Sequence, residues 1–154
     1  MATWDELTAV RPGVALRYDG EEFVIERTIR FEEDGCVWFE HRLSSDGSGR
    51  SLWLEVPPAV DQPVIAYESG ATLDAAPDGG PEIEHAGERM PLFMSGRAEY
   101  RTIERSAAAK TGVLVYHEYA LRDRRVTYEC RGDDAVWEVS EGRAIDGAAI
   151  EVLA

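Results

Sequence analysis

Two short segments of the sequence repeat an aromatic residue, a glutamate and a leucine in the pattern aromatic-x-Glu-x-x-Leu. The first contains Trp38 and Glu40, and the second contains Tyr116 and Glu118. Side chains two residues apart on a strand share a face, so each glutamate would stand beside an aromatic ring. Aromatic faces attract an ammonium group through cation–π interaction, and carboxylates attract it through charge. The repeat therefore predicts a cation-binding pocket, with these four residues as its ligand-binding candidates.

The two glutamates also have a simpler interpretation. Surface carboxylates are common and individually contribute little to stability. Glu40 and Glu118 could face solvent or pair with arginines such as Arg27, Arg42 or Arg105, on strands whose other face fills the core. The sequence leaves both interpretations open, and the direction in which the two glutamates point decides between them.

Other patterns that carry chemistry are missing from the sequence. It contains no Gly-x-Ser-x-Gly nucleophile turn, and no glycine cluster precedes a segment predicted to be a helix, as a phosphate-binding loop requires. The histidines and cysteines have no spacing typical of metal ligands; they are His41, His85, His117, Cys36 and Cys130. We therefore predict no catalytic residue, no metal site and no cofactor.

The elements that would position the repeated motif are almost all strands. Thr3 and Glu6 fit a capping box, which predicts one short helix from Trp4 to about Ala9. Elsewhere the residues alternate between apolar and polar or are β-branched and aromatic, as strands require. The predicted strands are Val14 to Tyr18, Glu22 to Phe31, Cys36 to Leu43, Ser51 to Val56, Val64 to Glu68, Glu82 to His85, Arg97 to Arg105, Val113 to Leu121, Arg125 to Arg131, Ala135 to Val139 and Ala149 to Leu153.

The two halves of the chain also resemble each other. A shift of 78 positions gives six identities over the 20 residues from Val24 to Leu43, and a further slip of six places Trp53 over Trp137. Each half would have an apolar face that it cannot bury alone, so the halves should pack as two sheets or close into a barrel. The predicted fold class is all-β and mainly antiparallel, with two duplicated β-meander halves and one short N-terminal helix.

The length of 154 residues predicts a single domain over 1–154. The pseudo-repeat halves cover about 12–57 and 90–154. Proline and glycine punctuate the stretch between them, about 57–91. This stretch is therefore predicted to be a connection that holds only short strands.

The charge of the chain limits its partners. The formal net charge of −14 opposes contact with phosphate backbones and anionic lipid surfaces, so we predict no nucleic-acid partner. No apolar run approaches the roughly 18 residues needed to span a bilayer, and the first residues show no signal peptide. We therefore expect a cytoplasmic protein without direct membrane insertion.

Aromatic-rich strand patterns recur in five segments of the chain, which are Leu16 to Ile25, Val37 to Leu43, Leu52 to Val56, Tyr116 to Tyr119 and Trp137 to Val139. Together these segments resemble a bacterial family known as domain of unknown function 4178. The resemblance covers nearly the whole chain, and His41 departs from it where an aromatic such as Tyr is expected. The resemblance implies no established activity. It also implies that the gene lies near genes for phage-shock-type membrane-stress proteins and polyamine-synthase-like enzymes.

These observations favour a non-enzymatic accessory or binding module that recognises a protein partner or a small cationic ligand, in a membrane-stress or polyamine-linked context. One alternative is an enzyme that uses Glu40, His41, Glu118 or His117 as acid or base. Another is a structural subunit that forms a homo-oligomer through the edge of a long strand such as Glu22 to Phe31.

Overall fold

The structure is a computed structural model that describes residues 2–73, 76–132 and 136–153. Its helix, α1 (Trp4–Ala9), has the predicted bounds. The side chain of Thr3 accepts a hydrogen bond from the backbone N–H of Glu6 at 3.1 Å, which satisfies one of the free donors at the start of the helix. None of the described helices is long and apolar enough to cross a membrane.

The rest of the described chain is mainly β-structure. A 3₁₀ turn, Gly147–Ala149, precedes the last strand. The strands are β1 (Ala15–Tyr18), β2 (Glu21–Glu33), β3 (Cys36–Ser44), β4 (Ser51–Val56), β5 (Val64–Leu73), β6 (Glu82–His85), β7 (Glu88–Ile103), β8 (Thr111–Leu121), β9 (Arg124–Arg131), β10 (Trp137–Ile145) and β11 (Ile150–Val152).

Eight of these strands close into an antiparallel barrel. Strands β2 to β5 form one four-stranded meander, and β7 to β10 form a second. The meanders meet along both edges, because β2 pairs with β7 around Arg30 and Arg101, and β5 pairs with β10 around Tyr67 and Gly142. The prediction of an antiparallel all-β fold is confirmed, and the barrel replaces the alternative of two packed sheets.

The remaining strands extend the wall of the barrel. β1 pairs with the first part of β2 and with β11, whereas the last part of β2 pairs with β7. β6 pairs with the first residues of β7. The long β2 therefore has partners on both sides and lacks the open edge that the homo-oligomer hypothesis assigned to it. Self-assembly itself stays a prediction.

Most of the apolar packing lies outside the barrel. Alternation along β3 and β4 turns Phe39, Leu43, Leu52 and Leu54 outward, where α1, β1 and β11 cover them. A second outer cluster, around Met90, Tyr119 and Val126, involves β6 to β10. Inside the barrel the buried apolar cluster is smaller, and it comprises Ile29, Phe31, Ala98, Leu114 and Tyr116. The remaining interior positions are available for polar side chains.

The region predicted as a connection contains more strand than expected. β5 continues past Glu68 to Leu73, and β7 begins at Glu88 instead of Arg97, with Pro91 inside it. Gly70 allows close approach between β5 and β10, because a Cβ at this position would overlap the carbonyl oxygen of Val139. The register of β5 against β10 shifts at this same point.

Two further predictions differ from the observed strands. Trp53 lies on β4 and Trp137 on β10, which are the third strand of one meander and the fourth of the other. Their predicted correspondence is therefore wrong. The predicted strand Ala135 to Val139 is observed from Trp137 onward, and Ala135 lies outside the described residues.

Candidate functional site

Four glutamates from four strands face the interior of the barrel. Glu40 of β3 lies directly opposite Glu55 of β4. On β8, Tyr116 lies opposite Glu129 of β9. Glu118 follows Tyr116 by two residues and therefore shares its inward face. Glu40 is buried, with 6% of its surface exposed, and the other three are half-buried. We call these four residues the interior glutamates.

The alternation of β3 and β8 explains why the predicted residues point inward. On β3 the odd-numbered residues Phe39 and His41 enter the core beneath α1, so Trp38 and Glu40 face the other way. On β8, Tyr119 packs in the outer cluster, so Tyr116 and Glu118 face the interior. All four predicted ligand-binding residues thus lie on the inner wall.

A cavity of about 320 Å³ occupies one end of the barrel interior. Glu55, Glu118 and Glu129 contribute carboxylates to its lining, and Trp38 and Tyr116 contribute aromatic rings. The two rings meet edge to face, with their centroids 6.2 Å apart. The end of β2, the β2–β3 turn and the β4–β5 loop line its mouth, together with the exposed side chains of Phe93 and Met94. From β2, the turn and the loop, the lining residues include Glu33, Asp34, Pro57, Pro58 and Gln62.

A chain of hydroxyl groups supports Glu118 from behind. The Tyr67 hydroxyl donates a hydrogen bond to Glu118 Oε1 at 2.8 Å, and Thr127 Oγ1 donates to the Tyr67 oxygen at 2.9 Å. Gly142 lies opposite Tyr67 across the β5–β10 pair, and a Cβ there would come within 2.5 Å of the Tyr67 ring. The glycine therefore leaves room for the ring, and the ring orients Glu118.

The other end of the interior is filled. Glu40 and Glu129 line a void of only about 20 Å³ together with Trp53 and Arg131. The guanidinium of Arg131 lies 5.6 Å from the centre of the Trp53 ring, and that of Arg42 lies 5.9 Å from the same ring. These contacts are in the range of cation–π interactions. The larger cavity is thus open to solvent at its mouth and narrows beyond Glu129.

Burial and mutual repulsion disfavour ionisation of the interior glutamates. Burial raises the pKa of Glu40 well above its usual range, and the charge of Glu129 raises it further. The pKa of Glu55 is likewise raised by burial, then by the charges of Glu118 and Glu40. Burial also raises the pKa values of Glu118 and Glu129.

Two arginines oppose this effect in different parts of the interior. Arg125 lines the cavity and lowers the pKa values of Glu55 and Glu118, whereas Arg131 lowers those of Glu40 and Glu129. Arg125 is anchored by hydrogen bonds from its Nη1 to the carbonyl oxygens of neighbouring residues, at 2.9 and 3.0 Å. Four carboxyl groups therefore share two guanidinium groups.

The structure shows that both predicted glutamates point into the barrel, and their role in ligand binding stays a prediction. Glu40 does not lie at the surface, and the arginines proposed as its partners have others, since Arg27 pairs with Glu104 at 2.5 Å and Arg42 with Glu26 at 3.4 Å. Sequence reasoning missed Glu55 and Glu129. Glu55 had a signal, because it alternates with Trp53 in the same aromatic-x-Glu spacing.

The histidines proposed for acid–base chemistry do not join the glutamates. His41 is fully buried in the outer core, where its Nδ1 is 2.8 Å from Thr28 Oγ1 and its Nε2 is 2.9 Å from the Leu7 carbonyl oxygen. His117 stacks on Trp137, with ring centroids 5.5 Å apart. The predicted set of Glu40, His41, Glu118 and His117 is therefore split between the interior and the outer faces.

The donor sets in the described chain do not suit a metal ion. Among these residues, no group of three or more His, Cys, Asp or Glu side chains is arranged to hold one.

The fold and the interior define an all-β barrel domain with an acidic, aromatic-lined cavity that opens at one end. The chain belongs to the family described as Domain of unknown function (DUF4178), whose match covers residues 11–147. This confirms the resemblance deduced from the sequence.

One curated relative is a protein named biotin synthase from Corynebacterium urealyticum, which is 28% identical over 120 residues. The match covers 74% of this chain and 35% of the relative, so the chain spans about a third of the length of the curated relative that it matches. No solved structure matches the chain.

Proposed function

We propose that this domain is a non-enzymatic binding module that takes a small organic cation, a compound with one or more ammonium groups, into the barrel interior. The observation that carries the proposal is the convergence of Glu55, Glu118 and Glu129 on one open cavity whose wall includes Trp38 and Tyr116. Carboxylates and aromatic faces are the two groups that recognise an ammonium ion most strongly.

The charge of the cavity supports a cation over a neutral or anionic ligand. Five carboxyl groups line it, and Arg125 is the one arginine or lysine among its lining residues. In a partly desolvated site, opposite charges attract more strongly than in bulk water. The carboxyl groups are Glu33, Asp34, Glu55, Glu118 and Glu129.

The size of the cavity supports a small ligand. A volume of about 320 Å³ is near the lower end of typical ligand pockets. It corresponds to roughly ten water-sized groups, because each water occupies about 30 Å³ in the liquid. Trp38, Leu114 and Ile65 also line the cavity and offer apolar surface to an alkyl chain. Spermidine, which combines ammonium groups with alkyl segments, is therefore the first compound to test, in keeping with a polyamine-linked context.

Isothermal titration calorimetry with spermidine tests the proposal. We expect saturable binding to the wild type, and at least a hundredfold weaker binding to the double variant Glu55→Gln/Glu118→Gln, because each charged hydrogen bond contributes about 1.5–3 kcal/mol. Gln preserves the shape of the side chain, so the variant should fold. Glu99→Gln is the matched control, because Glu99 is exposed on β7.

A second variant separates the aromatic contribution from the charge. Trp38→Leu should weaken spermidine binding by roughly 3- to 30-fold, because a cation–π contact contributes about 0.5–2 kcal/mol. If spermidine does not bind the wild type, or if both Glu55→Gln/Glu118→Gln and Trp38→Leu bind it as the wild type does, the small-cation proposal is wrong. A protein partner would then be the remaining form of the binding-module hypothesis.

A further inference from the structure

We propose that the barrel takes up its cation in exchange for protons, so that the interior glutamates hold protons when the cavity is empty and release them when the cation enters. This inference rests on the proposed function, and it adds the regulation of the same site by pH. Its geometric basis is an excess of carboxyl groups over cationic groups inside one closed wall.

The count of charged groups comes from every strand that faces the cluster. β3, β4, β8 and β9 each contribute one interior glutamate, and β9 contributes the two arginines. β10 adds Glu138 beside Glu129 at the filled end of the interior, and β5 adds the Tyr67 hydroxyl beside Glu118. On β2, Glu33 accepts a hydrogen bond from Tyr116 of β8 at 2.8 Å. The described wall therefore has more acids than bases on its inner side.

An empty interior cannot hold all of these charges at low cost. Buried carboxylates that share a site resist simultaneous ionisation, and a carboxyl group that lacks a cation nearby keeps its proton to a higher pH. The raised pKa values of the interior glutamates follow this rule. Protons thus take the place of the missing positive charge.

An ammonium group in the cavity changes this balance. It would lie beside Glu55, Glu118 and Glu129, whose shared lining forms the cavity. A positive charge within a few ångströms favours the ionised form of each neighbouring carboxyl group. Protons therefore leave as the cation enters, while the ammonium group itself, with an ordinary pKa near 10, stays charged throughout.

The two ends of the interior should contribute differently to this exchange. Glu55 and Glu118 line the open cavity but not the small void, whereas Glu40 lines the void but not the cavity. Glu129 lines both. Loss of the carboxyl groups at positions 55 and 118 should therefore abolish most of the proton release.

Calorimetry in buffers of different ionisation enthalpy tests the inference. Spermidine is titrated into the wild type between pH 6 and pH 8, and the dependence of the heat on the buffer gives the number of protons released. We expect about one proton or more to be released per cation bound. The affinity should rise about tenfold per pH unit for each proton released, by linkage.

Three variants complete the test. Glu118→Gln should release fewer protons and show a shallower dependence of affinity on pH than the wild type. Glu99→Gln, which alters an exposed residue, should behave as the wild type in both respects. Glu40→Gln should reduce the release less than Glu118→Gln does.

The failure of this inference can be distinguished from the failure of the proposed function. Spermidine binding that is unchanged between pH 6 and pH 8, with heats independent of the buffer, would overturn proton exchange and leave the cation site intact. The absence of binding at every pH would overturn the proposed function, and the exchange with it.

Discussion

Two adjacent residues of β3, Glu40 and His41, place ionisable side chains in opposite environments. His41 enters the outer core beneath α1, and Glu40 enters the barrel interior. Both are buried, with 0% and 6% of their surfaces exposed. His41 is neutral and hydrogen-bonded at both ring nitrogens, whereas Glu40 shares a confined space with three other carboxyl groups.

The two regions differ in how they satisfy their buried ionisable groups. The Leu7 carbonyl can only accept, so His41 Nε2 carries the proton and Nδ1 accepts a hydrogen bond from Thr28. This arrangement satisfies both nitrogens and ties α1 to the barrel. The interior glutamates, in contrast, raise the cost of their own burial, and carboxyl groups with strongly perturbed pKa values are concentrated at functional sites in proteins.

The largest expected effect concerns the pH dependence of His41. Burial lowers its pKa from 6.5 to about 4, so the unfolded state binds more protons between these values. His41 should therefore cost the protein about 3 kcal/mol of unfolding free energy as the pH falls from 6.5 to 4, since one pKa unit corresponds to about 1.4 kcal/mol.

His41→Gln isolates this effect, because Gln can still donate to the Leu7 carbonyl but does not titrate. Urea denaturation at several pH values should show the wild type losing stability relative to the variant below pH 6.5. Parallel pH profiles for the two proteins would show that His41 is not held neutral.

Glu40→Gln should act on stability at high pH, in the opposite direction of pH from His41. The raised pKa of Glu40 means that the folded state holds a proton above the usual carboxyl range, so stability falls as the pH rises from the usual pKa of a carboxyl group towards the raised one. Replacing Glu40 removes this loss, so we expect the variant to be more stable than the wild type at pH 8, with little change near pH 4.

Urea denaturation of Glu40→Gln at both pH values measures this gain. Glu99→Gln, on the exposed face of β7, is the control and should change stability by less than about 0.5 kcal/mol. A loss of stability in Glu40→Gln at pH 8 would contradict the picture of repelling carboxyl groups.

The smallest effect is expected for Tyr67→Phe. The phenyl ring still packs against Gly142, but Glu118 loses its hydrogen-bond donor and Thr127 loses its acceptor. We expect a loss of about 1 kcal/mol in unfolding free energy. The pKa of Glu118 should rise, since the hydrogen bond from Tyr67 lowers it. A Glu118 pKa that stays unchanged in a carboxyl ¹³C titration would show that this hydrogen bond does not act on the site.

Much of the fold was accessible from local sequence patterns. The capping residue Thr3 and the strand alternation predicted α1 and most strands, because these signals act within a few residues. β5 and the start of β7 were underestimated, because the prolines and glycines of this stretch, such as Pro91, normally interrupt strands. Their tolerance depends on partner strands that are distant in sequence.

Only part of the candidate site could be predicted from the sequence, because the rest depends on strands that are distant in sequence. The period of two placed Trp38 and Glu40 on one face, and likewise Tyr116 and Glu118, although their role in binding stays a prediction. Glu55 and Glu129 do not fall on the repeat of 78 positions. They join the site through pairing of β4 with β3 and of β9 with β8, and the two pairs meet only because the barrel closes.

The central claim is that the interior glutamates form a site for an organic cation. A titration of the carboxyl ¹³C signals of Glu40, Glu55, Glu118 and Glu129 by NMR, with and without spermidine, tests it most directly. We predict that all four pKa values lie above the usual range in the empty protein. With spermidine, those of Glu55 and Glu118 should fall the most. Ordinary pKa values in the empty protein, with no response to spermidine, would contradict the account.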